Sequence, residues 1–190
     1  AFAINLMSSL SSAFAAMFVA WITMLLGKLA LKGREEEPDT SEIIALAGAG
    51  LVAGLATAFS TSIWFSAVEG EVYALSTFFT ALTLWITIKW YCLPDEPKHD
   101  RLLILAIYMT GLSIGVHLLS ILTFPAISLF YYFKKTKKST FLGMTIASVV
   151  GLVFVGAVQA FIISGIPAIW GWFEILAVNS LGLPFNSGLV

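Results

Sequence analysis

The sequence predicts an all-α integral membrane protein of about six transmembrane helices, two of them short, with an amphipathic helix lying in the membrane interface. Three observations carry this prediction. Of the 190 residues, 59% are apolar and only 11% are charged, whereas a soluble domain carries roughly a quarter charged residues to solvate its surface. Apolar runs near the roughly 20 residues needed to cross a bilayer recur along the whole chain. The positive charges fall only in alternate loops. A soluble enzyme, a secreted disulfide scaffold and a disordered chain are therefore excluded. Ten Lys or Arg against eleven Asp or Glu give a net charge of -1, so there is no basic stripe for nucleic acid. The single cysteine, Cys92, forms no internal disulfide and offers no metal-ligand spacing.

The spans follow from polar punctuation. The first covers residues 5–31 and closes on Lys28, Lys32 and Arg34, ahead of a polar loop with Pro38. The second, 43–59, is rich in Gly and Ala and stops at Ser60-Thr61-Ser62. A short segment, 63–70, carries Trp64 and Glu69, and a third span, 72–92, ends near Lys89 and Trp90. The loop 93–101 holds two prolines and five charges, and reads as a water-facing turn. The apolar run 102–133 is too long for one span; Gly111, Gly115, His117 and Pro125 divide it into two shortened helices, 102–118 and 119–133, meeting near His117. Four lysines, Lys134, Lys135, Lys137 and Lys138, close the pair, and the last span is 140–163. After Gly165 and Pro167, residues 168–181 are aromatic at Trp170, Trp172 and Phe173 and polar at Glu174 and Asn179, as suits an interfacial helix; 164–190 forms the outer-face segment of a single transmembrane domain, 1–190.

With the first span ending inside, all ten cations fall on the cytoplasmic side and none outside. The outer side receives 60–71, the turn at His117 and the stretch from 164 onward. Shifting the count by one span destroys this segregation. The chain opens Ala1-Phe2-Ala3-Ile4-Asn5 with no basic region before an apolar core, so it reads as an internal piece of a longer protein rather than a signal peptide.

The outer face carries three acids, Glu69, Glu71 and Glu174, and one histidine, His117. Two residues apart, Glu69 and Glu71 would point about 200° apart on a regular helix and would not form a pair. Glu71 reads either as a first-turn anion favoured by the helix dipole or, with Glu69, Trp64 and Tyr73, as lining of an outward cavity for a hydroxyl-rich group, a cation or an acceptor. His117 reads either as a hydrogen-bonded helix-end residue or as a phosphate contact; with His99 across the membrane, no metal site is expected. Gly48 to Gly54 has no strand before it and serves helix packing rather than dinucleotide binding. Gly50/Gly54 and Gly111/Gly115 share the small-xxx-small spacing that lets helices approach. Asn5, Ser8, Ser9 and Ser12 form a polar stripe that bonds to a neighbouring helix. Trp170 and Trp172 suit an aromatic belt before a sugar-stacking platform.

Several stretches together resemble a known family: Phe59-Ser60, then Trp64-Phe65-Ser66-Ala67-Val68-Glu69-Gly70-Glu71-Val72-Tyr73, Gly111-Leu112-Ser113-Ile114-Gly115-Val116-His117, Tyr131-Tyr132-Phe133-Lys134-Lys135, Trp172-Phe173-Glu174, and Asn179 through Gly188. They are similar to the transmembrane-protein-260-like family, found in Bacteroidota-type bacteria and in animals, which in turn resembles the GT-C glycosyltransferases. The resemblance implies transfer of a sugar, mannose or a similar hexose, from a polyprenyl-phosphate carrier to Ser or Thr of exported proteins on the outer face of a bacterial inner membrane. Membrane lipid, the lipid-linked sugar donor and the exported acceptor are the partners it implies. It also implies a GT-C-like core lacking its first helix, with the principal acid upstream of Ala1 and no transferase activity in this stretch alone. No cofactor is evident, and divalent-metal dependence stays open. A non-catalytic membrane scaffold and, behind it, a transporter are the rival readings; a transporter would need ionisable groups near the midplane and an inverted repeat.

Overall fold

In the computed structural model, which describes residues 2–136 and 138–189, eight α-helices are joined by short turns. Lys137, one of the four clustered lysines, lies outside the described residues. Helix α1, Phe2–Lys32, buries Ser8, Ser11, Ser12, Ala15, Ala16 and Phe18, the three-and-four spacing of a single helical face. That face receives α4, Val72–Cys92, while α2, Thr40–Ala58, packs beside it and returns the chain. α2 starts at a capping box: the Glu42 N–H donates to Asp39 at 2.9 Å and the Asp39 N–H to Glu42 at 2.8 Å, satisfying two N-terminal donors reciprocally.

α1 and α4 run parallel, in contact from Ile4 beside Gly70 at one end to Arg34 beside Leu93 at the other. Between these ends Phe18 packs on Phe78 and Trp85, and Trp21 stacks on Trp85 at 5.3 Å. Two glycines of α2 let it approach α1: a Cβ on Gly50 would lie 2.6 Å from Met24 Cγ, and one on Gly54 3.1 Å from Ala20 Cβ, whereas Gly48 faces open space. Gly111 behaves otherwise, with open space around it, and Gly115 meets only the carbonyl of Leu112 in its own helix. That spacing therefore packs no neighbour; Gly115 instead ends its helix. The close approaches in this half are on α7: a Cβ on Gly151 would fall 2.4 Å from Pro125 Cα, and one on Gly143 would meet the Tyr132 hydroxyl.

The run 102–133 divides near His117 as expected, but the expected helices 102–118 and 119–133 are shortened where they meet, with a 3₁₀ turn between them. α5 is Asp100–Ile114, a 3₁₀ turn spans Leu118–Thr123, and α6 is Phe124–Lys135, with Pro125 in the first turn, where a missing N–H costs nothing. α7, Phe141–Ala157, packs on α6. The chain then passes through a π-helical turn, Val158–Ile163, into α8, Gly165–Ile175, and a second π turn, Leu176–Ser180. The expected break at Gly165 and Pro167 is thus a π turn within one 40-residue apolar helical run, Phe141–Ser180. The Ser164 N–H bonds back to Gln159, a widened register that leaves room for Pro167 in the next turn. Such a run rises about 60 Å, twice the roughly 30 Å hydrocarbon core, so it is longer than one span needs, and α8 continues α7 where the sequence predicts a separate interfacial helix. Four helices or helical runs are long and apolar enough to cross a membrane: α1, α2, α4 and Phe141–Ser180. α5 and α6 are the shortened pair.

Candidate functional site

The helix directions sort the side chains into two ends. One end gathers the C-termini of α1, α4 and α6 and the N-termini of α2, α5 and α7, and it carries every Lys and Arg among the described residues. Most of these cations are held. Lys28 pairs with Glu37 at 2.7 Å and Lys32 with Glu42 at 3.0 Å. Arg34 donates to the Leu93 carbonyl at 2.9 Å and lies over the Tyr91 ring. Lys134, buried, donates to the Trp90 carbonyl and covers the Trp90 ring, while Lys135 pairs with Asp95. The Lys135 ammonium bonded to Asp95 holds that carboxyl below its ordinary range, and Lys98 does the same for Glu96. At Asp39 the Ser41 hydroxyl and the Glu42 N–H lower the carboxyl likewise.

The opposite end is built from the start of α1, α3 (Thr61–Val68), the start of α4 and the α5–α6 connection. The Ser9 hydroxyl donates to the Ala67 carbonyl at 2.9 Å, seating α3 on α1. Of the rest of the polar stripe, Ser8 and Ser12 are buried hydroxyls without a partner, so the expected helix-to-helix bond is made by Ser9. Gly70 fits against Ile4 and Asn5, where a Cβ would meet Ile4 at 2.8 Å. This close approach turns the chain between α3 and α4.

Glu69 and Glu71 flank Gly70 in extended backbone, φ -89° and -112°, so the helical angle between them does not apply. Glu71 is the cap residue of α4, with no side-chain bond to the helix. Tyr73 lies two residues on and is half exposed, and its ring sits 5.2 Å from the ring of His117. Trp64 is exposed and stacks on Phe59. The structure therefore joins Tyr73 to His117 and sets Glu69, Glu71 and Trp64 at the same end.

His117 caps the 3₁₀ turn, its Nδ1 accepting the Leu119 N–H at 3.1 Å. Beneath it lies a group of hydroxyls: helical spacing already sets Ser113 and Ser120 near His117, and the structure adds Ser76, Thr80, Thr110 and Thr123. Ser120 bonds to Ser113 and lies 3.1 Å from Thr80 and 3.4 Å from Ser76; Thr123 donates to the Ser120 carbonyl at 2.8 Å and lies 3.3 Å from Thr110. Ser76, Thr110, Ser113, Ser120 and Thr123 are all buried. Tied into α4 and α5 in this way, the turn has little freedom to move. Depth matters too. α5 has 15 residues and rises about 22 Å, short of the roughly 30 Å hydrocarbon core. The Gly115–His117 segment completes the crossing, since His117 lies beside Tyr73 in the first turn of the 21-residue α4, and its irregular backbone there borders protein.

Glu174 and Asn179 stand apart. Glu174 accepts the N–H of Asn186 at 2.5 Å and of Gly188 at 2.8 Å, and so folds the C-terminal turn onto α8. Gly188 passes so close that a Cβ would fall 2.4 Å from Glu174 N. Asn179 is exposed in the second π turn, and Trp172 packs edge-on to Phe173.

A helical membrane bundle with one paired cationic end and one acid-bearing end is the class that the fold and site define. Residues 1–140 match the N-terminal domain of protein O-mannosyl-transferase TMEM260, and the chain belongs to that family. The matched stretch includes α1 to α6 and every residue of the Tyr73–His117 end. No curated protein and no solved structure matches the chain.

Proposed function

We propose that the chain forms the membrane core of an enzyme that moves mannose or a similar hexose from a polyprenyl-phosphate carrier to Ser or Thr hydroxyls of exported proteins. In this reading the reaction takes place at the Tyr73–His117 end, and the Lys-rich end faces the cytoplasm of a bacterial inner membrane. The observation that carries it is the family match over residues 1–140. The pairing of Tyr73 with His117 and the confinement of the described cations to the far end support it.

Transfer requires the acceptor oxygen to attack the anomeric carbon while the bond from that carbon to the carrier phosphate breaks and the phosphate leaves with the electron pair. The hydroxyl proton passes to a carboxylate. With the principal acid expected upstream of Ala1, Glu69 and Glu71 are the acids of this stretch nearest the Tyr73–His117 pair in the chain's topology, and Tyr73 and Trp64 offer aromatic faces to a pyranose. Glu174, engaged by two backbone N–H groups, serves the C-terminal turn.

The test is transfer from polyprenyl-phosphate mannose to a Ser/Thr-containing peptide by the full-length protein that contains this chain, in lipid nanodiscs, with Glu69→Gln and Glu71→Gln alongside. Loss of transfer in at least one variant, with the amount of folded protein unchanged, is expected. Full activity in both removes these carboxylates from the reaction, and absence of transfer by the unmodified protein favours the scaffold.

A further inference from the structure

The chain has two histidines, and the structure holds them in opposite tautomers. His99 Nδ1 lies 2.9 Å from the Pro94 carbonyl oxygen, which only accepts, so in the neutral ring Nδ1 carries the proton. His117 Nδ1 lies 3.1 Å from the Leu119 nitrogen, whose N–H only donates. The neutral His117 ring therefore keeps a lone pair on Nδ1 and its proton on Nε2. That Nε2–H has no hydrogen-bond partner among the described residues, and it is not one of the sealed, orphaned atoms of the interior. It is a donor left free on a turn that the Ser76, Ser113 and Ser120 hydroxyls immobilise from below.

The surroundings select among ligands. Glu69 and Glu71 lie at this end, and every described Lys and Arg lies at the other. A phosphate would meet carboxylates with no cation from these residues to offset it, so the carrier phosphate of the transfer reading has to be held by parts of the full protein outside these residues. A neutral, hydroxyl-rich ring would find the half-exposed face of Tyr73 at 5.2 Å from the imidazole, a free N–H donor and carboxylate acceptors. We propose that His117 is a substrate-binding residue that donates its Nε2–H to a hydroxyl oxygen of a hexose stacked on Tyr73, and that it is neither a proton acceptor nor a phosphate contact. The identity of the sugar as mannose rests on the transfer reading above.

The experiment uses protein carrying nitrogen-labelled histidine in lipid nanodiscs, with proton–nitrogen spectra that read each ring's tautomer and methyl α-mannoside and inorganic phosphate as probes. The expected result is an Nδ1–H ring at His99, an Nε2–H ring at His117, and a shift of the His117 Nε2 signal with mannoside but not with phosphate. Two substitutions separate the ring nitrogens. His117→Asn keeps an acceptor near the Nδ1 position and removes the outward donor; His117→Gln keeps a donor near Nε2 and gives up the cap. Mannoside affinity measured by calorimetry should fall about tenfold in His117→Asn, the worth of one good hydrogen bond, and stay near the starting value in His117→Gln. An Nδ1–H tautomer at His117, a response to phosphate in place of mannoside, or affinity kept by Asn and lost by Gln each overturns the inference. A protein that binds mannoside in this way but transfers no sugar refutes the transfer reading alone; one that transfers mannose without an Nε2 response refutes this inference alone.

Discussion

The two ends of the bundle follow opposite rules. At the Lys-rich end, Trp90 is fully buried between Tyr131 and Lys134 with its indole N–H on Asp100 at 3.1 Å, and Lys28, Lys32, Arg34 and Lys135 each have a partner. At the other end the partnered groups lie underneath, in the Ser113–Ser120 network, while the Glu71 side chain leaves its helix uncapped and His117 Nε2 is free. Where polar groups are consumed by one another, they hold the fold. Where they stand unconsumed on a fixed floor, they are available to a ligand. The first end should therefore respond to substitution in stability, and the second in binding.

The largest effect should come from Trp90→Ala. Emptying a fully buried indole site and releasing its three contacts should cost about 3–5 kcal/mol, read as a sharp fall in melting temperature in detergent. Transfer per folded molecule should be kept; loss of transfer without loss of stability would break the division between the ends. Gly151→Val comes next, because the new side chain meets the Pro125 backbone, 2.4 Å from the first added atom, and overpacking of this kind costs about 1–3 kcal/mol. Gly111→Ala is the control: with open space at the Cβ position, it should be neutral or slightly stabilising in the same melting assay.

At the other end, Tyr73→Ala should raise KM for the sugar donor by about three- to tenfold, the worth of one aromatic contact, and leave the melting temperature alone. A drop in melting temperature with an unchanged KM would mean that this ring is structural. The smallest effect is acid sensitivity. Asp39, Asp95 and Glu96 have folded-state pKa values below their ordinary ones. Their contribution to stability is therefore complete above the ordinary values, 3.8 for Asp and 4.5 for Glu, and is lost as the pH falls through the lowered ones. Melting followed by tryptophan fluorescence should decline only below that range, and Asp95→Asn should weaken the decline. A loss centred above pH 4.5 would contradict the pairing.

Much of the fold is legible in the sequence because punctuation in apolar runs has direct causes. The bounds of α4 at 72–92 follow from Gly70 on one side and Leu93-Pro94 on the other, since the residue before a proline is pushed out of helical conformation; Leu93 has ψ 156°. The division near His117 follows from span length and charge sidedness together. Other features depend on which faces meet, and single residues do not declare that. Helical spacing sets Ser113 and Ser120 near His117, but Ser76, Thr80 and Thr110 look like isolated hydroxyls in apolar helices, which ordinarily bond back to their own carbonyls, and only the meeting of α4, α5 and the 3₁₀ turn makes them a network. Gly111 and Gly115 have the spacing of a packing motif without a partner, whereas Gly151 packs tightly with no motif to mark it. The π turn at 158–163 hides because Gly165 and Pro167 read as a stop, while a widened register carries the helix past them. At the site, the grouping of Glu69, Glu71, Trp64, Tyr73 and His117 at one end was readable from topology. The direction of the free His117 nitrogen was not, because it depends on one backbone N–H two residues away.

The central claim is that the free end and the paired end face opposite compartments. In a Cys92→Ser background, cysteines placed by Ser62→Cys in α3 and by Lys138→Cys beside the lysine cluster, both exposed positions, can be challenged with a membrane-impermeant maleimide on intact cells. Labelling of Ser62→Cys at once, and of Lys138→Cys only after permeabilisation, is the expected result. Labelling of both from outside would contradict the account.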